Sequence, residues 1–145
     1  MDASARGKVF LDTNVLVYAV DHRDRAKQMK AQSLLRGTPR ASLVISTQVL
    51  GEFYWTVTRK LVPAIPNEEA RAAVERLSRL TVVPVDRDIV RGAIELAALT
   101  SIAYWDALIV KAASTMSCER VLSEDLNHSQ VIDGVRIENP FLPVN

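Results

Sequence analysis

The most constraining feature of this chain is a short apolar run, Lys8-Val9-Phe10-Leu11, that stops at Asp12 and becomes apolar again at Val15. Such a run, followed by an acid and a new amphipathic pattern, predicts a buried strand, a turn and the start of a helix. Ligand sites in open α/β sheets form beyond the carboxyl ends of the strands. Asp12 therefore either caps the next helix or belongs to a functional site, and this stretch favours both equally.

Strand-like and helix-like segments alternate along the rest of the chain. Strands are predicted at 43–45, 81–85, 119–122 and 135–137. Helices are predicted at 15–20, 24–35, 48–60, 68–80, 87–99 and 103–116. Capping residues open several of these helices, namely Asp24, Ser46 or Thr47, Asp86 and Ser101. This alternation predicts an α/β fold with a parallel sheet covered by helices on both faces.

Size and composition indicate an ordinary globular domain. We interpret residues 1–145 as one domain with a loose terminus at 1–6, since this length suits a single packed core. Hydrophobic residues make up 48% of the chain and charged residues 24%, which excludes a disordered protein. The lone Cys118 allows no internal disulfide and suits a reducing cytoplasm. No apolar run approaches the ~18 residues of a membrane helix.

Four acids interrupt sequence that otherwise has a buried character. They are Asp12 after the first strand, Glu52 in the third helix, Asp106 in the last helix and Asp125 after the fourth strand. An ionised carboxylate in apolar surroundings costs several kcal/mol unless it is paired or bound to a metal. Carboxylates around one point repel each other, and a hard divalent cation such as Mg²⁺ or Mn²⁺ relieves that repulsion. The pattern therefore predicts one shared cation site.

Four motifs carry a resemblance to a known family. They are Asp12-Thr13-Asn14, Glu52 in its helix, Tyr104-Trp105-Asp106-Ala107-Leu108-Ile109, and Leu122-Ser123-Glu124-Asp125 with the later Asn139-Pro140-Phe141. In this order and spacing they resemble a PIN-domain nuclease from Gly7 to Phe141, and in particular the VapC-type toxins of bacterial toxin–antitoxin pairs. The resemblance implies a three-layer α/β/α sandwich with a central parallel sheet. It also implies cleavage of RNA with Mg²⁺ or Mn²⁺ as cofactor.

The resemblance assigns roles to single residues. The catalytic, metal-binding acids would be Asp12, Glu52, Asp106 and Asp125. The last follows from a Ser-x-Asp pattern, in which Glu124 is the intervening residue and is expected to be exposed. Asn14 and Ser123 match polar positions that support the metal shell. The implied partners are an RNA substrate, a VapB-type antitoxin and a second copy of the chain in a homodimer, all in the cytoplasm and with no membrane.

Basic and aromatic residues supply candidate RNA contacts. Between His22 and Lys60 there are eight Lys or Arg against two acids. The candidate phosphate contacts include Arg23, Arg25, Lys27 and Lys30. The alternative for each of them is an ordinary side chain on a solvated helix face. Bases of an RNA could stack on the aromatic side chains of Tyr54, Trp55, Tyr104 and Trp105. Their helical spacing beside apolar residues instead favours the core or an interface.

Two other classes of function are alternatives to a toxin nuclease. A PIN fold outside a toxin–antitoxin pair could be an RNA-processing nuclease or a non-catalytic RNA-binding module. A phosphotransfer enzyme could use the strand-end Asp12 as a nucleophile. A dehalogenase-like member of that class would have a second Asp where Asn14 stands, and a receiver domain would add a neighbouring acid pair and a late lysine. The sequence has neither pattern.

Overall fold

The computed structural model describes residues 7–143, so the terminus predicted to be loose at 1–6 lies outside the described residues. The strands are β1 (Lys8–Leu11), β2 (Leu43–Ser46), β3 (Thr81–Val83), β4 (Cys118–Leu122), β5 (Val131–Ile132) and β6 (Val135–Glu138). The helices are α1 (Thr13–Tyr18), α2 (Arg25–Gly37), α3 (Thr47–Arg59), α4 (Asn67–Leu77), α5 (Arg87–Thr100) and α6 (Tyr104–Thr115). The predicted α/β fold is confirmed.

The sheet has the strand order β3-β2-β1-β4-β6-β5. Strand β1 lies at its centre and pairs in parallel with β2 on one side and β4 on the other. The chain crosses from one half of the sheet to the other at this point, and such a crossover leaves a crevice beyond the strand ends. The topology therefore places the ends of β1 and β4 side by side at the mouth of that crevice.

The predicted parallel sheet is confirmed at its centre, and one edge carries an antiparallel pair. Strand β5 pairs antiparallel with β6 through a two-residue turn. Both turn residues, Asp133 at φ 52° and Gly134 at φ 79°, have the left-handed backbone that such tight hairpins require. Asp-Gly is a recognised signal for this turn, so the short hairpin was readable from the sequence.

The core surrounds β1 and β2. Phe10, Val44 and Ile45 are fully buried, which explains the continuous apolar runs of strands covered on both faces. Within the described residues, no single helix is both long and apolar enough to cross a membrane.

Three of the predicted helix caps are confirmed, because the side chains of Asp24, Ser46 and Asp86 accept backbone N–H groups of the helices that follow them. The predicted cap at Ser101 is wrong. Its φ of 62° closes α5, and α6 starts after Ala103 without a side-chain cap.

Candidate active site

The four acids line one cavity of about 630 Å³ beyond the carboxyl ends of the central strands. Asp12 follows β1 directly and Asp125 lies three residues after β4. Glu52 comes from the middle of α3, and Asp106 from the first turn of α6. Two strand ends and two helices thus bring together residues that are up to 113 positions apart, the span from Asp12 to Asp125.

Asp12 both caps a helix and faces the cavity. Its Oδ1 accepts the backbone N–H of Thr13 at 2.7 Å, which caps α1. Its Oδ2 accepts the hydroxyl of the fully buried Ser123 at 2.7 Å. The two alternatives that the sequence left open for Asp12 are therefore compatible, because each carboxylate oxygen has its own partner.

Asn14 ties the start of α1 to the loop after β4. Its Nδ2 donates to Asp125 Oδ2 at 3.1 Å, and its Oδ1 accepts the backbone N–H of Glu124 at 3.1 Å. The Ser123 hydroxyl oxygen accepts the backbone N–H of Asp125 at 3.1 Å. Asn14 and Ser123 together therefore fix Asp125 relative to Asp12.

Thr13 has a role that the sequence analysis missed. Its hydroxyl donates to Glu52 Oε1 at 2.8 Å and joins α1 to α3. On the other side of the same carboxylate, Gln48 Nε2 lies 3.5 Å from Glu52 Oε2 and 3.3 Å from the backbone oxygen of Trp105. The Asp12-Thr13-Asn14 motif contained Thr13, but the contact with Glu52 depends on how two helices pack.

The four acids have no cationic side chain paired with them among residues 7–143. The ion pairs in that part of the chain are Arg23–Asp21, Lys27–Glu124, Lys111–Asp133 and Arg120–Glu138. The pKa of Asp12 is raised to about 6, chiefly because the side chain is buried, with a smaller contribution from the charges of Asp125 and Glu52. Hydrogen bonds from Ser123 and Thr13 partly oppose this rise. Burial also raises the pKa of Asp106, with the same two charges adding to it. Such a cavity favours a cation.

The donor set fits a hard divalent cation in its chemistry. The four carboxylates supply oxygen donors alone, as Mg²⁺ and Mn²⁺ prefer. Within residues 7–143, however, no three His, Cys, Asp or Glu side chains are arranged so that they could hold a metal as they stand. The acids therefore share a cavity without forming a preassembled ligand cluster.

In the absence of metal, ionisation of Asp12 is expected to reduce the stability of the folded state as the pH rises. The pKa of Asp12 is about 6 in the fold against an ordinary 3.8, so the fold retains a proton that the unfolded chain releases. This stabilisation is complete below the ordinary pKa and is lost as the pH passes the folded pKa, a change of roughly 3 kcal/mol. Urea unfolding of the chelator-treated wild type and Asp12→Asn, from about pH 4 to pH 7, measures it. The wild type should lose more stability, and equal pH slopes would contradict the assignment.

The expected exposure of Glu124 is wrong. Glu124 is only partly exposed. Two side chains contact its carboxylate, because Tyr18 donates its hydroxyl to Oε1 at 2.6 Å and Lys27 pairs with Oε2. Lys27, one of the candidate phosphate contacts, thus directs its ammonium group to a carboxylate of its own chain. This pair fastens α2 to the loop that carries Asp125.

The other candidate phosphate contacts lie along the start of α2 and before it. Arg23 lines the cavity while bonding to Asp21, and Arg25 donates to Gln28 at 3.0 Å. Lys30 is exposed. Their contact with RNA stays a prediction.

The core position predicted for the tryptophans is wrong, and the alternative of an interface stays a prediction. Trp55 and Trp105 are 53% and 64% exposed and both line the cavity. Tyr54 is also exposed, whereas Tyr104 is partly buried and packs edge-on against Trp105.

One of the comparisons with known proteins identifies a family. A family model for the PIN domain matches residues 9–133. No curated protein sequence matches the chain significantly.

Similar solved structures include a sarcin–ricin loop cleaving VapC toxin of Mycobacterium tuberculosis, with 21% identity, a TM-score of 0.66, and coverage of 81% of this chain and 90% of that one. A toxin–antitoxin complex from Klebsiella pneumoniae has 19% identity, a TM-score of 0.69 and coverage of 92% and 98%. DNA-bound VapBC from Salmonella typhimurium has 22% identity, a TM-score of 0.65 and the same coverage. At these identities the likeness shows the fold.

Proposed function

Because the chain belongs to the PIN-domain family, we propose that it is a Mg²⁺- or Mn²⁺-dependent endoribonuclease that acts as the toxin of a toxin–antitoxin pair. The observation that carries this proposal is the cavity at the centre of the sheet. Six carboxylates line it. Asp21 and Glu124 pair with Arg23 and Lys27, whereas the four predicted acids pair with no cationic side chain among the described residues. That charge pattern supports a cation site that can receive a phosphodiester.

The proposed ligands are Asp12, Glu52, Asp106 and Asp125. A bound Mg²⁺ or Mn²⁺ would neutralise charge on a phosphate and activate water for attack. The chain's own contribution is to hold the acids in place, through Ser123 on Asp12 and Thr13 on Glu52. A carboxylate with a raised pKa, such as that of Asp106, is suited to accept a proton from the attacking water.

The toxin role rests on the solved structures of similar fold, which include complexes of toxins with antitoxins. We propose a VapB-type antitoxin as partner and a homodimer as the assembly. An apolar cavity of about 320 Å³ between α1, α2, α3 and α4 offers a seat for an amphipathic partner segment. An arginine of that partner could pair with the four carboxylates, which have no cationic partner within residues 7–143, and compete with the cation.

Expression of the chain alone is expected to arrest bacterial growth, and its co-expressed genomic neighbour should relieve the arrest. The physical basis is that an uninhibited nuclease depletes RNA, whereas a bound partner blocks the acid cavity. Growth curves measure the effect. Gel filtration of the co-expressed proteins and cleavage of labelled RNA by the purified chain, against a phosphatase substrate as control, complete the test.

The outcomes separate two levels of the proposal. A harmless wild-type chain, or a neighbour that neither binds nor inhibits, overturns the toxin role and leaves an RNA-processing nuclease. Failure of the purified chain to cleave any RNA with Mg²⁺ or Mn²⁺ overturns the nuclease itself and favours a non-catalytic RNA-binding module.

A further inference from the structure

The acid cavity has an aromatic rim that carboxylates and a cation do not explain. Trp55 and Trp105 are the only tryptophans of the chain. Both line this cavity, and both leave more than half of their surface in solvent. Large aromatic side chains stabilise a fold when they are buried, so two exposed indoles at one cavity indicate a binding surface.

Each indole is held close to an acid by its place in the chain. Trp105 directly precedes Asp106 at the start of α6. Trp55 lies three residues after Glu52 on α3, so the two side chains are neighbours on the same helix surface. Gln48 spans the two elements, since its amide contacts both Glu52 and the backbone of Trp105. A ligand at the acids would therefore have an indole on each of the two helices beside it.

Positive charge accompanies the aromatic surface. The Arg59 guanidinium lies 5.1 Å from the ring centroid of Trp55. Lys60 and Arg23 line the same cavity. Cationic side chains bind phosphate groups, and bases of any sequence stack on aromatic faces. The surface next to Trp55 is also open, because a Cβ at Gly51 would meet nothing within 4 Å.

We propose that Trp55 and Trp105 are stacking platforms for unpaired bases of single-stranded RNA next to the phosphodiester at the acid cavity. The inference rests on the proposed nuclease function and adds the two side chains that would hold bases beside the phosphodiester. A duplex keeps its bases stacked on each other, whereas a single strand can turn them onto aromatic side chains. The rival occupant is a protein surface, such as a second copy of the chain, and the experiment separates the two.

Intrinsic fluorescence tests the stacking directly, because the chain has only these two tryptophans. The full-length Asp12→Asn protein, used to avoid cleavage, is titrated with a short RNA oligonucleotide in single-stranded form and as a duplex. Saturable quenching by the single strand and much weaker quenching by the duplex is expected. Trp55→Phe and Trp105→Phe in the same background assign the signal to each indole. Binding of the single strand, followed by anisotropy, without a fluorescence change would overturn the proposal.

Kinetics on the active enzyme give a second readout. Trp55→Ala and Trp105→Ala are expected to raise KM for single-stranded RNA about five- to one-hundredfold with kcat nearly unchanged, the effect of losing one base–aromatic stack. Trp105→Phe should restore most of the loss. Leu99→Ala is the matched control, because Leu99 is an apolar residue 84% exposed on α5 and outside the cavity.

The outcomes distinguish stacking from the other possibilities. An unchanged KM in both Ala variants overturns the stacking role while the nuclease stands. An unchanged KM with altered sedimentation overturns it in favour of a protein interface. If the wild type cleaves no RNA yet the single strand still quenches, the nuclease function fails and stacking on RNA is supported.

Discussion

Replacement of Asp12 by Asn is expected to reduce RNA cleavage about a thousandfold while the protein still folds. Catalytic cations contribute several kcal/mol to a reaction of this kind, and each factor of ten corresponds to about 1.4 kcal/mol. Asn keeps the size of the side chain and one acceptor oxygen, which suffices for the Thr13 N–H cap. Its amide NH2 cannot accept the Ser123 hydroxyl as Oδ2 does, and the buried charge is removed. Single-turnover cleavage of labelled RNA, with circular dichroism as a check on folding, measures the effect.

The metal-free thermal midpoint of the same variant should hold or rise. The fold disfavours the ionised form of Asp12, so loss of its charge removes a cost at neutral pH. Asp106→Asn should behave alike, because burial and the same neighbouring charges raise the pKa of Asp106. Variants that unfold, or that cleave at the wild-type rate, would show that the four acids form a structural network.

Glu124→Gln is the matched control for this experiment. It makes the same carboxylate-to-amide change one residue before Asp125, on a side chain that Lys27 and Tyr18 hold. Cleavage by this variant should stay within a few-fold of the wild type, whereas Asp125→Asn should lose most of its activity. Equal losses at both positions would overturn the choice of Asp125 as the fourth acid.

The grouping of the four acids at one cavity was predictable from the sequence because strand ends and helix patterns place them. Their catalytic and metal-binding roles stay predictions. Asp12 ends an apolar run, and the alternation of elements brings the end of β4 next to it. Local patterns carry this information, since parallel strands of a doubly covered sheet end at a common edge.

Contacts between distant elements were not predictable in the same way. The Glu124–Lys27 pair and the Thr13–Glu52 hydrogen bond join residues 97 and 39 positions apart. Either polar side chain of such a pair could equally well face solvent, and only the packing of the helices decides. The roles of Thr13 and Glu124 therefore emerged from the structure alone.

The exposure of Trp55 had a signal that the sequence analysis passed over. Val49, Phe53 and Val57 are spaced four residues apart and form the buried side of α3. Trp55 lies two positions from Phe53, which is about 200° around a helix. The period of the core residues therefore already placed this indole on the side away from the sheet.

Removal of divalent cations is expected to abolish cleavage by the wild-type protein. The carboxylates repel one another, and no cationic side chain among the described residues pairs with them. Without a divalent cation the four carboxylates therefore repel a phosphodiester as well. A bound Mg²⁺ or Mn²⁺ would reduce the net negative charge of the four acids and would supply an electrophile beside them.

The rate of RNA cleavage by chelator-treated wild-type protein, measured as a function of free Mg²⁺ concentration, tests the central claim most directly. We predict no cleavage above background without the cation, a saturable return of activity as Mg²⁺ is added, and no return with Asp12→Asn. A cleavage rate that is independent of Mg²⁺, or an Asp12→Asn protein that responds to the cation like the wild type, would contradict the assignment of the four acids as the catalytic cation site.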